Sequence, residues 1–227
     1  MNALHCLAGL ALLASTLLAP AALAAGKADV EAALSHDGLQ KVNVKGIFLA
    51  YVRPGASLAG YGRIKLAPVE VAFHKDWDPT RAGSRIKLSA EERENIRTGL
   101  AKVVYDEFAR VLQSKSSYTV VDEVGPDVLR VKVSILNLYV NAPDTMTAGR
   151  SRTYTVSAGE MTLFAELFDS ESGQTLARVI DRREARETGM MTLSNSVVNS
   201  SEAAAIASSW ARILRDALDR AHGVGKK

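Results

Sequence analysis

The segment best suited to chemistry is His74-Lys75-Asp76-Trp77-Asp78, one imidazole among two carboxylates. Such a group could meet a cation, but an oxygen-rich cation loop needs a tight turn and more oxygens than these. Zinc would need a further histidine from far along the chain; His36 and His222 are the others beyond the first 25 residues. Asp78-Pro79 fits turn initiation with no ligand, so the segment reads as a loop. The alternative is a metal- or serine-dependent hydrolase whose site assembles around His74, Asp76 and Asp78. Serine chemistry has little else to draw on. Gly149-Arg150-Ser151-Arg152-Thr153 lacks the second glycine of a nucleophile elbow, and no spacing sets a base beside Ser151. Gly60-Tyr61-Gly62 neither follows a good strand nor opens a helix, so it is not a phosphate loop. Glu160 and Glu166 share a strand face, where carboxylates more often answer neighbouring arginines than perform acid–base work. No catalytic, cofactor-binding or metal-ligating residue is assigned, and no cofactor is expected.

Arg150, Arg152, Arg182, Arg183 and Arg186 could gather at one sheet end, but acids are interleaved with them. Aromatic residues are 6% of the chain and the net charge is +3. Neither supplies the stacking platform or the dense positive charge that nucleic-acid binding needs. Two stretches lack an easy structural excuse. The loop Ala142 to Gly149 is long for a strand connection, and Thr188 to Leu193 sets Met190 beside Met191 where neither helical nor strand period fits. Methionine adapts to varied partners, so Pro143, Asp144, Met146, Arg150, Arg152, Met190 and Met191 form a candidate partner surface. The methionines could equally belong to a lid over the core edge.

Compartment is written at the start. From Met1 to Ala25 there is no Asp, Glu, Lys or Arg, and the apolar run from Leu7 through Leu18 meets Pro20 and then Ala22-Leu23-Ala24. That small-x-small spacing suits signal peptidase, with cleavage between Ala24 and Ala25; retention as an anchor is the other outcome. Cys6, the sole cysteine, precedes the apolar run, so cleavage leaves no disulfide, thiolate ligand or lipid-bearing cysteine. No later stretch is apolar enough to span a membrane. The expectation is a bacterial periplasmic domain. With 227 residues, 47% of them hydrophobic and 23% charged, the chain can bury an ordinary core without metal or disulfide.

The elements that must position these groups are legible from periodicity. Residues 25–62 read as an irregular arm after a signal peptide of residues 1–24. Arg63 to Phe73 reads as a strand interrupted by Pro68, which cannot donate to a ladder and marks an edge or a bulge. Ser89 and Glu92 have capping-box spacing, and Ile96, Leu100, Val104, Phe108, Val111 and Leu112 form one helical stripe to Gln113. Tyr118 to Val121 is a short strand. Leu129, Val131, Val133 and Ile135 alternate with Arg130, Lys132 and Ser134, and Met161, Leu163, Ala165 and Leu167 alternate again in a hairpin whose two faces are both partly apolar. Asp169 to Gly173 turns the chain into a return strand from Thr175 to about Arg186, with Glu160 and Glu166 facing some of Arg178, Arg182 and Arg183. A last helix starts near Ser201, carries Ala203, Ile206, Ala207, Trp210, Leu214 and Leu218 on one face, and ends at Gly223. The fold expected is α+β: a mixed, mainly antiparallel sheet of about four to five strands with two helices on one face. A single domain would span residues 63–222, and residues 223–227 a tail.

Several strings together resemble a known family. They are Ile64-Lys65-Leu66-Ala67-Pro68-Val69-Glu70-Val71, the helix start Leu88-Ser89-Ala90-Glu91, Val121 through Val131, the Leu167 to Gly173 hairpin and Asp181-Arg182-Arg183. They resemble the bacterial envelope family catalogued as domain of unknown function 3313, across roughly residues 39 to 220. Many of its members look like lipoproteins; this sequence lacks the cysteine that such an anchor needs. The resemblance transfers no activity and no catalytic residue. The expectation is a non-catalytic accessory or binding domain of the cell envelope, most simply with a protein partner. Self-association is possible at the edge that carries Pro68.

Overall fold

The computed structural model describes residues 31–32, 34–77, 89–114, 118–140, 153–155, 159–184, 192–194 and 196–224. The chain divides into two compact units, Met1–Ala33 and Leu34–Lys227, and the elements that follow belong to the second. A short turn of 3-10 helix, His36–Gly38, leads into β1 (Gln40–Val42), β2 (Leu49–Val52), β3 (Arg63–Leu66) and β4 (Glu70–Phe73). Helix α1 (Ala90–Gln113) precedes β5 (Thr119–Val120), β6 (Val128–Val140), β7 (Thr153–Thr155), β8 (Gly159–Asp169), β9 (Thr175–Glu184), β10 (Thr192–Ser194) and helix α2 (Ser196–Ala221).

The main sheet runs β1-β2-β9-β8-β6-β3-β5, with β4 also lying against β6. From β1 to β6 all neighbours are antiparallel, whereas β6 pairs in parallel with β3 and β4, and β3 with β5. Parallel neighbours need a crossover; α1 is that crossover, carrying the chain from β4 to β5. A separate ribbon joins β7 to β10.

The expected mixed α+β class holds, but the sheet has eight strands rather than four or five. Part of the excess lies in residues 25–62, read from sequence as irregular, which supply β1 and β2. In β2, Leu49, Ala50 and Tyr51 are all buried, so no alternation betrays a strand covered on both faces. The rest comes from Pro68, which splits one expected strand into β3 and β4. Leu66 aligns with Val131 and Glu70 with Ser134, so the split strand carries one residue more than β6 across the same interval. Ala67 donates its N–H to Val131 O at 2.9 Å, and Pro68 then falls in the bulge, where a missing donor costs nothing.

A second bulge explains why β6 outruns its visible alternation. Register slips between Leu136 and Tyr139 against β8, and between Val71 and Phe73 against β4. Asn137 sits there with φ 51°, a left-handed conformation that asparagine tolerates better than most residues. The slip moves the buried positions from odd to even numbers: Ile135 is buried before it and Leu138 after.

Both helices serve one face of the sheet. Leu129, Val131, Val133 and Ile135 of β6 and Met161, Leu163, Ala165 and Leu167 of β8 share a core with Val104 and Phe108 of α1 and with Ala207, Trp210 and Leu218 of α2. The capping box forms as its spacing predicts. Glu92 N donates to Ser89 Oγ at 3.1 Å and Ser89 N to Glu92 Oε2 at 2.7 Å. Helix α2 begins at Ser196, more than a turn before the expected Ser201. No helix among the described residues is long and apolar enough to cross a membrane.

Candidate functional site

His74 follows the last residue of β4, and its groups are spent on shaping a turn. Its N–H donates to Leu138 O at 3.0 Å, and its carbonyl accepts from Trp77 N at 2.9 Å. Its Nδ1 accepts from Asp76 N at 3.1 Å. Trp77 closes the turn by stacking on Phe73, with centroids 4.3 Å apart, and by donating Nε1–H to Val140 O at 3.0 Å. Asp78 lies outside the described residues. His36 and His222 are elsewhere: His36 beside Arg178, and His222 with Nδ1 2.9 Å from Leu218 O and its ring edge-on to Tyr118. Among the described residues no three His, Cys, Asp or Glu side chains gather as metal ligands.

The carboxylates of the β8–β9 hairpin answer arginines. Glu166 stands opposite Arg178 and accepts from its Nε at 3.0 Å; Glu160 pairs with Arg182. Arg178 is buried on the face turned away from the helices, because the N-terminal segment crosses it there. It also donates to His36 O at 3.2 Å and to Asp37 Oδ2 at 2.7 Å. That bond to the guanidinium holds the Asp37 carboxyl below its ordinary range. Arg183 takes the other face and a different partner, Asp181, at 2.7 Å. Buried Asp181 also accepts from Trp210 Nε1 at 2.8 Å and Phe48 N at 3.0 Å, fastening α2 and the β1–β2 connection to the sheet. At the start of β6, burial and the bond to Asp169 push the Tyr61 hydroxyl up to about 12. These groups hold the fold together.

What remains open is the flank of β4. A groove of about 390 Å³ lies between β4 and the first half of α1, lined by Val69, Glu70, Val71, Glu94, Arg97, Thr98 and Ala101. Its charges are internally matched: Arg97 pairs with Glu94 at 2.9 Å, and Glu70 with Lys132 at 3.1 Å. The apolar residues Val69, Val71 and Ala101 complete its lining. Among the described residues β4 has a strand on one side only, β6. Because His74 N donates to Leu138 O, ladder alternation turns the backbone groups of Phe73 and Val71 to the other side.

The candidate partner surface from sequence, Pro143, Asp144, Met146, Arg150, Arg152, Met190 and Met191, lies outside the described residues, as do Ala24, Ala25 and Ser151. The groove was not foreseen. Its signals were Pro68, marking an edge, and the polar first turns of α1, where Ile96 is followed by Arg97-Thr98-Gly99.

The family model described as "Protein of unknown function (DUF3313)" matches residues 30–214. No curated protein matches the chain. Among solved structures, protein XCC0632 from Xanthomonas campestris aligns at a TM-score of 0.40 and 11% identity, over 74% of this chain and 89% of its own. The PelC dodecamer from Paraburkholderia phytofirmans aligns at 0.33 and 8%, over 75% and 96%. The hypothetical protein CT253 from Chlamydia trachomatis aligns at 0.35 and 13%, over 72% and 97%. At this degree of likeness they bear on neither activity nor partner.

Proposed function

Because the chain belongs to the DUF3313 family, whose function is unknown, we propose from its own geometry that it is a non-catalytic binding domain of the bacterial envelope. In this reading it is exported to the periplasm and engages an extended segment of another envelope protein. The observation that carries the reading is the groove beside β4. An edge strand with outward amide groups is a template for strand addition, in which main-chain bonds supply affinity and alternate side-chain pockets supply selectivity. The groove suits that mode: Val69, Val71 and Ala101 offer apolar seats, and the Glu94–Arg97 pair leaves no net charge for a ligand to neutralise. No described histidine lines it, and its two carboxylates, Glu70 and Glu94, are each paired with a cation.

The test is site-specific photocrosslinking in the native cell, with the photoreactive residue at Thr98 or Ala101 and, as control, at exposed Lys102 on the same helix. The expected result is one heterologous envelope protein captured from the groove positions and not from Lys102. Equal capture from all three, adducts of the chain with itself alone, or none, would overturn the reading.

A further inference from the structure

We propose that Lys65 and Arg130 form a binding site for a phosphate group on the sheet face opposite the helices, independent of the groove. Lys65 of β3 is the register partner of Arg130 of β6, which is in turn the partner of Phe168 of β8. Their chain neighbours Ile64, Leu129 and Leu167 belong to the helix-side core, so alternation turns this row to the other face.

That face is otherwise careful with charge. Lys132 is paired with Glu70, Arg178 with Glu166 and Asp37, and Arg182 with Glu160 and Glu184. Lys65 and Arg130 break the pattern: two cations are set directly opposite one another, and no carboxylate among the described residues pairs with either. Like charges opposed across a ladder destabilise a sheet. Arg130 carries a further cost, since its Nε is buried without a hydrogen-bond partner. Its guanidinium is held in place, with Cζ 4.4 Å from the centre of the Phe168 ring. A guanidinium stacked on an aromatic, with a second cation one strand away, is the arrangement that captures an oxyanion.

The charge count selects the ligand. Adjacent strands lie about 4.8 Å apart, so one tetrahedral group can meet both cations. A phosphate monoester bears about −1.5 to −2 near neutral pH with several acceptor oxygens. It matches the two cations, whereas a carboxylate leaves one uncompensated. The ligand class is therefore phosphate, presented free or on a lipid headgroup.

The test uses the protein with inorganic phosphate in one arm and, in the other, vesicles of phosphatidic acid, whose headgroup is a phosphate monoester, or of phosphatidylcholine, at matched ionic strength. Thermal unfolding follows the first arm and co-sedimentation the second. A saturable rise in Tm with phosphate assigns the free ion. Retention on phosphatidic acid but not phosphatidylcholine assigns the headgroup. Either signal should weaken at least tenfold in Lys65→Gln and in Arg130→Gln and persist in Lys132→Gln, which removes an already paired cation. Lys65→Glu should abolish the response and raise the Tm of the unliganded protein, because it relieves the repulsion. A response in neither arm, or one lost equally in Lys132→Gln, overturns the site. So does a Lys65→Glu protein that is less stable than the parent yet still binds.

Discussion

Asp181 is the side chain whose loss the structure prices most clearly. Three donors converge on its carboxylate: Arg183 Nε at 2.7 Å, Trp210 Nε1 at 2.8 Å and Phe48 N at 3.0 Å. Their alternatives differ when Asp181→Ala removes the acceptor. The Arg183 side chain is 33% exposed and can turn to water, so its share is small after solvent screening. Phe48, 66% exposed, brings its amide near solvent as well. Trp210 is 2% exposed, and its indole N–H has nowhere to go. Orphaning a buried donor costs roughly 1–3 kcal/mol, and that share dominates the loss. At about 2–4 °C per kcal/mol for a domain of this size, Tm should fall by roughly 2–12 °C. Trp210→Phe alone should cost about 1–3 kcal/mol. The double variant should be less damaging than the sum of the singles, since no indole N–H is left to orphan. Urea unfolding of the four proteins measures this cycle, with a coupling of at least about 0.5 kcal/mol expected. An Asp181→Ala cost under about 1 kcal/mol, or strict additivity, would refute the idea that this carboxylate fastens α2 to the sheet.

Three further substitutions have outcomes set by the same kind of contact. Asp37, Asp127 and Asp169 have carboxyls held below the ordinary range by bonds from Arg178, Arg63 and Ser172 respectively. Their stabilisation is full above the unfolded value of about 3.9 and is lost as pH falls through the lower folded values. Asp37→Asn should therefore flatten the acid limb of a Tm-versus-pH profile and leave the neutral region nearly parallel to the parent. Ser89→Ala removes the acceptor for Glu92 N and should cost about 1 kcal/mol in urea unfolding. Val71→Pro removes an N–H that faces away from β6 together with one apolar side chain of the groove, so capture from the groove should fall at least about fivefold, the loss of one main-chain bond of about 1 kcal/mol. Unchanged capture would count against strand addition.

The parts of the fold legible in the sequence are those where one face meets water. Helix α1 announced itself through Ser89, Glu92 and its stripe, and β6 and β8 through alternating residues such as Val131 against Lys132. The hairpin charges were legible too: Glu166 meets Arg178 and Glu160 meets Arg182. Only structure could send Arg183 to the opposite face and to Asp181. What stayed hidden has a physical reason in each case. Strand β2 is covered on both faces and loses its period. The bulge at Asn137 shifts the parity of β6, so the visible pattern stopped at Ile135. Lys65 and Arg130 are ordinary residues in ordinary strand positions. Their juxtaposition depends on the parallel pairing of β3 with β6 across a crossover, which no local pattern encodes. The residues named as a partner surface lie outside the described residues.

The openness of the groove follows from how the crossover is built. Helix α1 is 24 residues long, but its fully buried positions, Val104, Phe108, Val111 and Leu112, all fall in its second half, while Ile96 and Leu100 remain partly exposed. The sheet beneath its first half is narrow: β5 flanks β3 through Arg63 and Ile64, and no described strand continues that cover along β4. Pro68 and its bulge separate the covered part from the uncovered part. An added strand beside β4 would cover Val69, Val71 and Ala101, the apolar residues of the groove. At about 25 cal/mol per Å² of apolar surface removed from water, that gain adds to the main-chain bonds. The overhanging helix therefore favours a ligand in strand form over one that touches side chains alone.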